Sequence, residues 1–431
     1  MEKLTDFLNK HLVPIANAFN RNKYLLSMRD AFLIALPFTM FGSLFTAVIN
    51  LPFLSYFMSA ESINVIRVSL QPFVDFTMGS IALIIAASIG YNLSKYNKVN
   101  QIYGAILSLI SYLAVTANST ITAEGLVING VIPMGEIGAM GMFTAIIIGL
   151  LVTEIYSTAI KKKWTITMPE SVPTFVAESF FSFIPVGIAF TVAIAIRIGF
   201  QYTEFGTFTA FIYQMFQTPL SHLGSSLWAT ILVGVLVNLF WFFGIHGHIV
   251  VASIMVPIWT VLSVENFTAF NAGQQVPNLV SNTFADFFVL NGQYISYPII
   301  ISLLFFFKKR EDWKQLGKIA LVPGIFGVYE PLIFGLPVML NPILLIPLLL
   351  TPIITTTISY LVMSVGWVPY ATGIALPYTM PSFISGFLVT NSWRGAALQL
   401  VLLVILTGMW YLFLRVLNQS DLEGKTVNEK Q

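Results

Sequence analysis

Between Lys318 and Arg394 the chain carries a single formal charge, Glu330. A carboxylate alone in so long an apolar stretch costs roughly 2.5–3.5 kcal/mol at mid-membrane on insertion scales, which makes it a candidate functional group. It lies within GIFGVYEPLIFGLPVMLNP, running from Gly324 to Pro342, where Gly324, Gly327, Pro331, Gly335, Pro337 and Pro342 crowd together. That density of helix breakers argues against one uninterrupted helix and predicts a broken or re-entrant segment. Non-helical backbone is tolerated at membrane depth only where it is buried in protein or lines a wet cavity. Glu330 is therefore expected on a cavity wall, offering acceptors to a polar solute.

The rest of the composition places this segment in a bilayer. Only 9% of the 431 residues are charged, 56% are hydrophobic and the mean hydropathy is +0.82. Soluble domains carry about 25% charged residues. The apolar runs are long and continuous, which fits crossings of about 20 residues and not the short alternating strands of a membrane barrel. The net charge of +2 comes with basic residues confined to loops and gives no support for nucleic-acid binding. The absence of cysteine excludes disulfides and any thiol-based step within the chain. The first 30 residues lack the apolar core of a signal peptide and read as an amphipathic interfacial helix.

Apolar segments centre on residues 30–54, 73–93, 99–117, 136–160 and 178–200. Arg21, Lys23 and Arg29 precede the first, Lys95 and Lys98 follow the second, and Lys161, Lys162 and Lys163 follow the fourth, which puts those loops in the cytoplasm. The loops at 55–72 and 118–135 then face outward. Residues 201–224 read as an interfacial linker and a domain boundary. Further segments follow at 225–245, 248–264 and 284–307, around an Asn- and Gln-rich stretch at 265–283. From Gln201 to Phe307 there is no Lys or Arg, so orientation is bracketed by Lys308, Lys309, Arg310, Lys314 and Lys318 on the cytoplasmic side. An even number of crossings is needed between that cluster and Arg415. Nine of the 21 prolines fall between Pro323 and Pro381, so 342–365 and 396–417 are assigned as spans and 319–341 and 367–390 as re-entrant hairpins. The fold class is an all-α polytopic membrane protein of about ten transmembrane helices, with re-entrant hairpins and amphipathic interfacial helices. Two units are expected, residues 1–205 and 206–431.

Glu330 has three open roles: a carboxylate satisfied by backbone amides or by His246, a proton-coupling acid, or a direct substrate contact. His246 and His248 close the run Phe243-Gly-Ile-His-Gly-His, where a helix cap, a metal ligand and a sugar contact all stay open. Tyr329, Trp367, Tyr370, Tyr378 and Trp393 lie near the breaker-rich segments and could stack on a sugar face or anchor the interface. The tail holds Gly424-Lys425-Thr426, but Gln419 stands where a P-loop needs its first glycine, so ATP-driven transport is unsupported.

Phe243-Gly-Ile-His-Gly, Asn271-Ala-Gly with Pro277-Asn-Leu-Val, and Gly327-Val-Tyr-Glu-Pro-Leu-Ile-Phe-Gly-Leu-Pro with Asn341-Pro resemble the lactose, cellobiose and diacetylchitobiose family of phosphotransferase-system enzyme IIC permeases. Arg29-Asp, Leu36-Pro and Gly42-Ser are similar to that family's first span. The resemblance implies disaccharide uptake through the cell membrane coupled to phosphorylation, with cellobiose or diacetylchitobiose preferred. It implies Glu330 as catalytic and substrate-binding residue, His246 as a second sugar contact, and Asn282, Asp286, Trp367 and Trp393 as weaker candidates. No bound cofactor or metal is expected; the phosphoryl group comes from phospho-enzyme IIB, charged through enzyme IIA. The resemblance also implies a homodimer, with a dimerising first half and a transporting second half. The stretch Val289-Leu-Asn-Gly-Gln-Tyr-Ile-Ser-Tyr departs from the family's Gly- and Ser-rich pattern, so sugar contacts at Gln293, Tyr294 and Tyr297 do not carry over. A proton-coupled sugar transporter using Glu330 is the alternative.

Overall fold

The computed structural model describes residues 22–49, 57–121, 126–169, 171–244, 246–336, 338–339 and 341–428. The interfacial helix expected in the first 30 residues lies largely outside them. In chain order the helices are α1 Lys23–Ile49, α2 Ala60–Asp75, α3 Ile81–Asn97, α4 Gln101–Val115, α5 Met134–Ile137, α6 Met142–Lys161 and α7 Thr174–Gln201. Then come α8 Phe208–Ile212, α9 Thr218–Gly224, α10 Leu227–Phe242, α11 Gly247–Asn271, α12 Asn282–Phe284, α13 Gln293–Ile301, α14 Glu311–Ile325, α15 Glu330–Gly335, α16 Pro342–Ser364, α17 Ile384–Thr390 and α18 Trp393–Asn428. Wider π-helical turns at Tyr213–Gln217, Ala285–Val289 and Ser302–Phe306 continue α8, α12 and α13.

Helices α1, α3, α4, α6 and α7 pack on one another. A Cβ on Gly90 would strike the carbonyl of Gly104, so the glycine pair sets the close approach of α3 and α4. At one end of this group Lys23 Nζ donates to both Glu154 oxygens at 2.7 and 2.8 Å and to Asn97 Oδ1 at 2.9 Å. Asn97 Nδ2 completes the ring by donating to Glu154 at 2.9 Å. Within the loop expected at 118–135, Ser119–Ile121 pairs antiparallel with Val127–Asn129.

In the later part of the chain α16 packs on α10 and α18, α13 and α17 pack on α18, and α11 touches both α10 and α1. Pro352 has no N–H to give the Leu348 carbonyl one turn back; Asn238 Nδ2 on α10 donates to that carbonyl instead, at 2.7 Å. Asn341 caps α16 through Ile343 N at 3.0 Å, and Pro342 starts the helix where its missing N–H costs nothing. The 23 residues of α16 reach about 35 Å at 1.5 Å per residue, enough for a hydrocarbon core of about 30 Å.

Six helical stretches among the described residues are long and apolar enough to cross a membrane: Lys23–Gly42, Met142–Lys161, Val176–Gln201, Asn282–Phe306, Pro342–Ser364 and Trp393–Gln419. A seventh is counted if Phe208–Gly224 and Leu227–Phe242, bent by 72°, make one span. The count of about ten is not reached this way, in part because α3 has 17 residues and α4 has 15. Both 342–365 and 396–417 fall on helices long and apolar enough to span. The segments 319–341 and 367–390 are broken, the first into α14 and the six-residue α15, the second into an irregular run before α17.

Three boundaries differ from the sequence reading. The loop expected at 55–72 is largely α2, whose Ser59 caps it by accepting from Ser62 N at 3.1 Å. The linker at 201–224 is helical over α8 and α9, with Thr207 capping α8 through Ala210 N at 3.1 Å. The polar stretch 265–283 belongs to α11 as far as Asn271, because Asn266 and Glu265 find partners in Asn278: Asn266 Nδ2 donates to the Asn278 carbonyl at 2.7 Å, and Asn278 Nδ2 to Glu265 at 2.8 Å.

Candidate functional site

Helix α14 ends at Ile325 because glycine at 324 and a left-handed Gly327 (φ 78°) cannot hold it. Its last carbonyls do not stay unpaired. Ser296 Oγ donates to the Gly324 carbonyl at 2.8 Å and Tyr297 OH to that of Ile325 at 2.9 Å, both from α13. Gly292 lies so close to the Gly327 carbonyl and the Tyr329 ring that a Cβ there would clash. The chain therefore turns against α13 and re-enters a helix at Glu330 with Pro331 in its first turn, where proline is well placed.

Opposite Glu330 stands the end of α10 and the start of α11. Gly247 approaches the Val237 carbonyl closely enough that a Cβ would overlap it, which explains the glycine between the two histidines. His246 Nε2 lies 4.0 Å from Glu330 Oε1, and the two side chains are 45% and 37% exposed. The Trp241 ring sits 4.5 Å from the His246 ring and 5.4 Å from that of Tyr329. His246 stands at the N-cap of α11, where its side chain makes no capping hydrogen bond. His248 turns away to place Nε2 3.4 Å from the Leu290 carbonyl, with its ring 6.0 Å from that of His246. No group of three or more His, Cys, Asp or Glu that could hold a metal occurs among the described residues.

Three polar atoms of this cluster are buried without a hydrogen-bond partner among the described residues: Glu330 Oε2, Tyr329 OH and Trp241 Nε1. Leaving a buried polar group unpaired costs about 1–3 kcal/mol, so each such group calls for an explanation. An acceptor, a hydroxyl and an indole donor, linked through the Trp241–Tyr329 and His246–Glu330 contacts, are the kinds of group that a polyhydroxylated ligand can satisfy.

Of the weaker candidates, Asn282 and Asp286 come together, Asn282 Nδ2 donating to Asp286 Oδ2 at 2.7 Å on the π turn that follows α12. Trp367 and Trp393 are 68% and 69% exposed, and Arg394 Nη1 donates to the Trp367 carbonyl at 3.2 Å. No hydrogen bond or ring contact joins them to Glu330 or His246 among the described residues. Gln293 is a framework residue: its amide donates to the Met380 carbonyl at 2.9 Å and accepts from Ser382 N and Oγ, tying α13 to the broken segment before α17. Gln399 does the same from α18, accepting from Phe383 N at 2.6 Å and Gly386 N at 3.0 Å. Trp241 and Gln399 were not singled out from sequence. Trp241 had a signal, since it opens the aromatic run into Gly244 and His246; an isolated Gln in a span had none.

A multi-pass helical membrane protein with a carboxylate at a helix break, facing aromatic and imidazole side chains, is a permease for a polar solute. The family description "Phosphotransferase system, EIIC" matches residues 29–352. The oligo-beta-mannoside-specific EIIC component of Bacillus subtilis (strain 168) is 39% identical over 98% of this chain and 95% of its own length. The cellobiose-specific EIIC component of Geobacillus stearothermophilus is 33% identical over 96% of this chain and 94% of its own. The crystal structure of ChbC, the IIC component from the N,N'-diacetylchitobiose-specific phosphotransferase system, superposes with a TM-score of 0.92 at 34% identity, covering 97% of this chain and 99% of that one. The chain belongs to the EIIC family: it is a membrane-embedded sugar permease component of a phosphotransferase system and takes part in group translocation. The proton-coupled symporter alternative finds no support in these matches.

Proposed function

We propose that the chain carries a β-linked disaccharide inward and presents it at Glu330 for phosphorylation by phospho-enzyme IIB. The observation that carries the reading is the unpaired Glu330 Oε2 beside His246, Trp241 and Tyr329. In the transfer, the phosphorus–sulfur bond to the IIB cysteine breaks and a phosphorus–oxygen bond to a sugar hydroxyl forms. Glu330 accepts the hydroxyl proton and the IIB thiolate leaves. This chain has no cysteine, so the donor arrives in trans at the cytoplasmic face. Phosphoryl transfer needs chiefly positioning and charge stabilisation, and one carboxylate with an imidazole alongside meets that need. His246 hydrogen-bonds the same ring, and the buried Trp241, 4.5 Å from the imidazole, backs it. Residues 1–205 form the dimerising unit and 206–431 the transporting one.

The relatives named above take oligo-β-mannosides, cellobiose and diacetylchitobiose, which share a β linkage. Purified protein in liposomes loaded with phosphorylated IIB, given labelled cellobiose, mannobiose or diacetylchitobiose outside, tests the reading. Phosphorylated sugar inside, from one of the three, is the expected result. Unmodified sugar entering without IIB contradicts it.

A further inference from the structure

Several helices end in the same turn: a left-handed residue donates its N–H to the carbonyl three residues back, and the next residue donates to the carbonyl five back. Glycine fills the left-handed position at Gly273, Gly327 and Gly366, and asparagine at Asn391. Both residue types tolerate that conformation. At the ends of α3 and α6 the position is held by lysine instead. Lys98 (φ 59°) donates to the Lys95 carbonyl at 3.1 Å and Val99 to that of Ser94 at 3.0 Å. Lys163 (φ 59°) donates to the Ile160 carbonyl at 2.9 Å and Trp164 to that of Ala159 at 3.0 Å. A cation near a helix C-terminus complements the helix dipole, but the glycine and asparagine turns do without one. The two lysines call for a further use of their charge.

The two turns are neighbours. Asn97 Oδ1 accepts from Lys161 Nζ at 3.1 Å and from Lys23 Nζ at 2.9 Å, which draws the ends of α3 and α6 to the start of α1. The acids nearby are engaged: Glu154 with Lys23 and Asn97, Asp30 with Arg29 and the Tyr96 hydroxyl, and Glu178 with Asn100. Lys95, Lys98, Lys162 and Lys163 are exposed and form no ion pair among the described residues. The basic cluster at the start of α14 is different, because it carries its own acids: Arg310 pairs with Asp312 at 2.6 Å and Lys314 with Glu311 at 3.2 Å. Exposed apolar surface begins beside the unpaired lysines. Lys162 Nζ lies 5.1 Å from the ring of the exposed Trp164, a residue type that settles at the membrane–water boundary. Ile102, Ile106 and Ile110 form an exposed i, i+4, i+8 stripe along α4, starting just after the Lys98 turn.

We propose that this corner binds an anionic phospholipid, with the headgroup phosphate on Lys98, Lys163 and the lysines beside them and an acyl chain along the α4 stripe. Ammonium groups offer donors and no acceptor, which suits a phosphodiester. Basic pockets at the ends of membrane helices collect such headgroups. Free phosphate would meet the lysines but leave the isoleucines uncovered, so the two parts of the surface together call for a lipid.

The test follows the melting temperature of the full chain in a neutral detergent as phosphatidylglycerol, phosphatidylcholine of the same acyl chains, or inorganic phosphate is added, since a ligand of the folded state raises it. Phosphatidylglycerol should raise it and the other two should not, and about 1 M salt should erase the rise. Lys98→Gly combined with Lys163→Gly keeps both turns, so melting in detergent alone should not fall. The phosphatidylglycerol concentration giving half the rise should increase about 10- to 30-fold, the value of two lysines at an anionic surface. An equal rise with phosphatidylcholine or inorganic phosphate overturns the proposal, as does a glycine variant with the wild-type midpoint. Should that variant fail to fold, Lys95→Gln with Lys162→Gln, both on exposed side chains, is held to the same criterion. Lys308→Gln with Lys309→Gln, in the other cluster, should leave the midpoint in place; an equal shift there overturns the assignment to this corner. A glycine variant that keeps the lipid midpoint but loses sugar phosphate formation with phospho-IIB would give the lysines to a protein partner and also overturn it.

Discussion

Glu154 and Glu330 are both carboxylates in apolar helical surroundings, and the protein treats them in opposite ways. Glu154 is saturated: Lys23 and Asn97 donate to it at 2.7–2.9 Å, and Lys161 Nζ steadies Asn97 Oδ1 at 3.1 Å. Glu330 has His246 at 4.0 Å and a second oxygen buried without a partner among the described residues. A saturated acid ties helices together, and an unsaturated one is kept for something that arrives from outside. Burial alone does not tell the two apart; the hydrogen-bond count around each oxygen does.

The largest expected effect is on chemistry at the open acid. Glu330→Gln removes the proton acceptor while keeping the shape, and sugar phosphate formation with phospho-IIB should fall about 10²- to 10⁴-fold, the range for losing a general base. Undiminished formation would erase the contrast. At the closed acid the loss should appear in stability: Glu154→Ala strands Lys23, costing about 1–3 kcal/mol, read as a lower melting temperature in detergent with sugar affinity retained. A drop in affinity at unchanged melting temperature would make Glu154 a second functional acid.

His246→Ala should weaken sugar binding about tenfold, the value of one hydrogen bond at about 1.4 kcal/mol, with melting temperature little changed. Asn238→Leu leaves the Leu348 carbonyl unpaired next to Pro352 and should cost about 1–2 kcal/mol of stability, with no effect on the ratio of disaccharide to monosaccharide affinity. The smallest effect is at Asp312, whose carboxyl Arg310 holds below its usual range at 2.6 Å. A depressed folded-state pKa stabilises above the unfolded value of about 3.8 and loses that stabilisation as pH falls through the folded one. Asp312→Asn should therefore leave melting at neutral pH within error, because exposed pairs contribute little.

The site's acid was legible because charge is so rare here: one Glu between Lys318 and Arg394, ringed by Gly and Pro, marks both the broken helix and a candidate functional group. The spans at 342–365 and 396–417 followed from proline placement and charge parity. What sequence could not supply was pairing across the fold. Trp241 meets Tyr329, and Gln293 meets Ser382, through contacts between residues about 90 apart in the chain, which no local pattern encodes. The helix α2 was read as a loop because its alternation of Val, Ile and Ser with Glu61, Arg67 and Asp75 lowers its hydropathy below that of a span, although its cap at Ser59 is a local signal. The polar residues at 265–271 break the apolar pattern although they are helical, since their partner Asn278 lies in the next segment.

The measurement that bears most directly on the contrast runs wild type, Glu330→Gln and Glu154→Gln side by side in liposomes loaded with phosphorylated IIB, counting phosphorylated disaccharide inside. Accumulation by wild type and by Glu154→Gln, with none by Glu330→Gln, is the predicted result. Equal accumulation by Glu330→Gln would show that its open oxygen is not where the sugar is received.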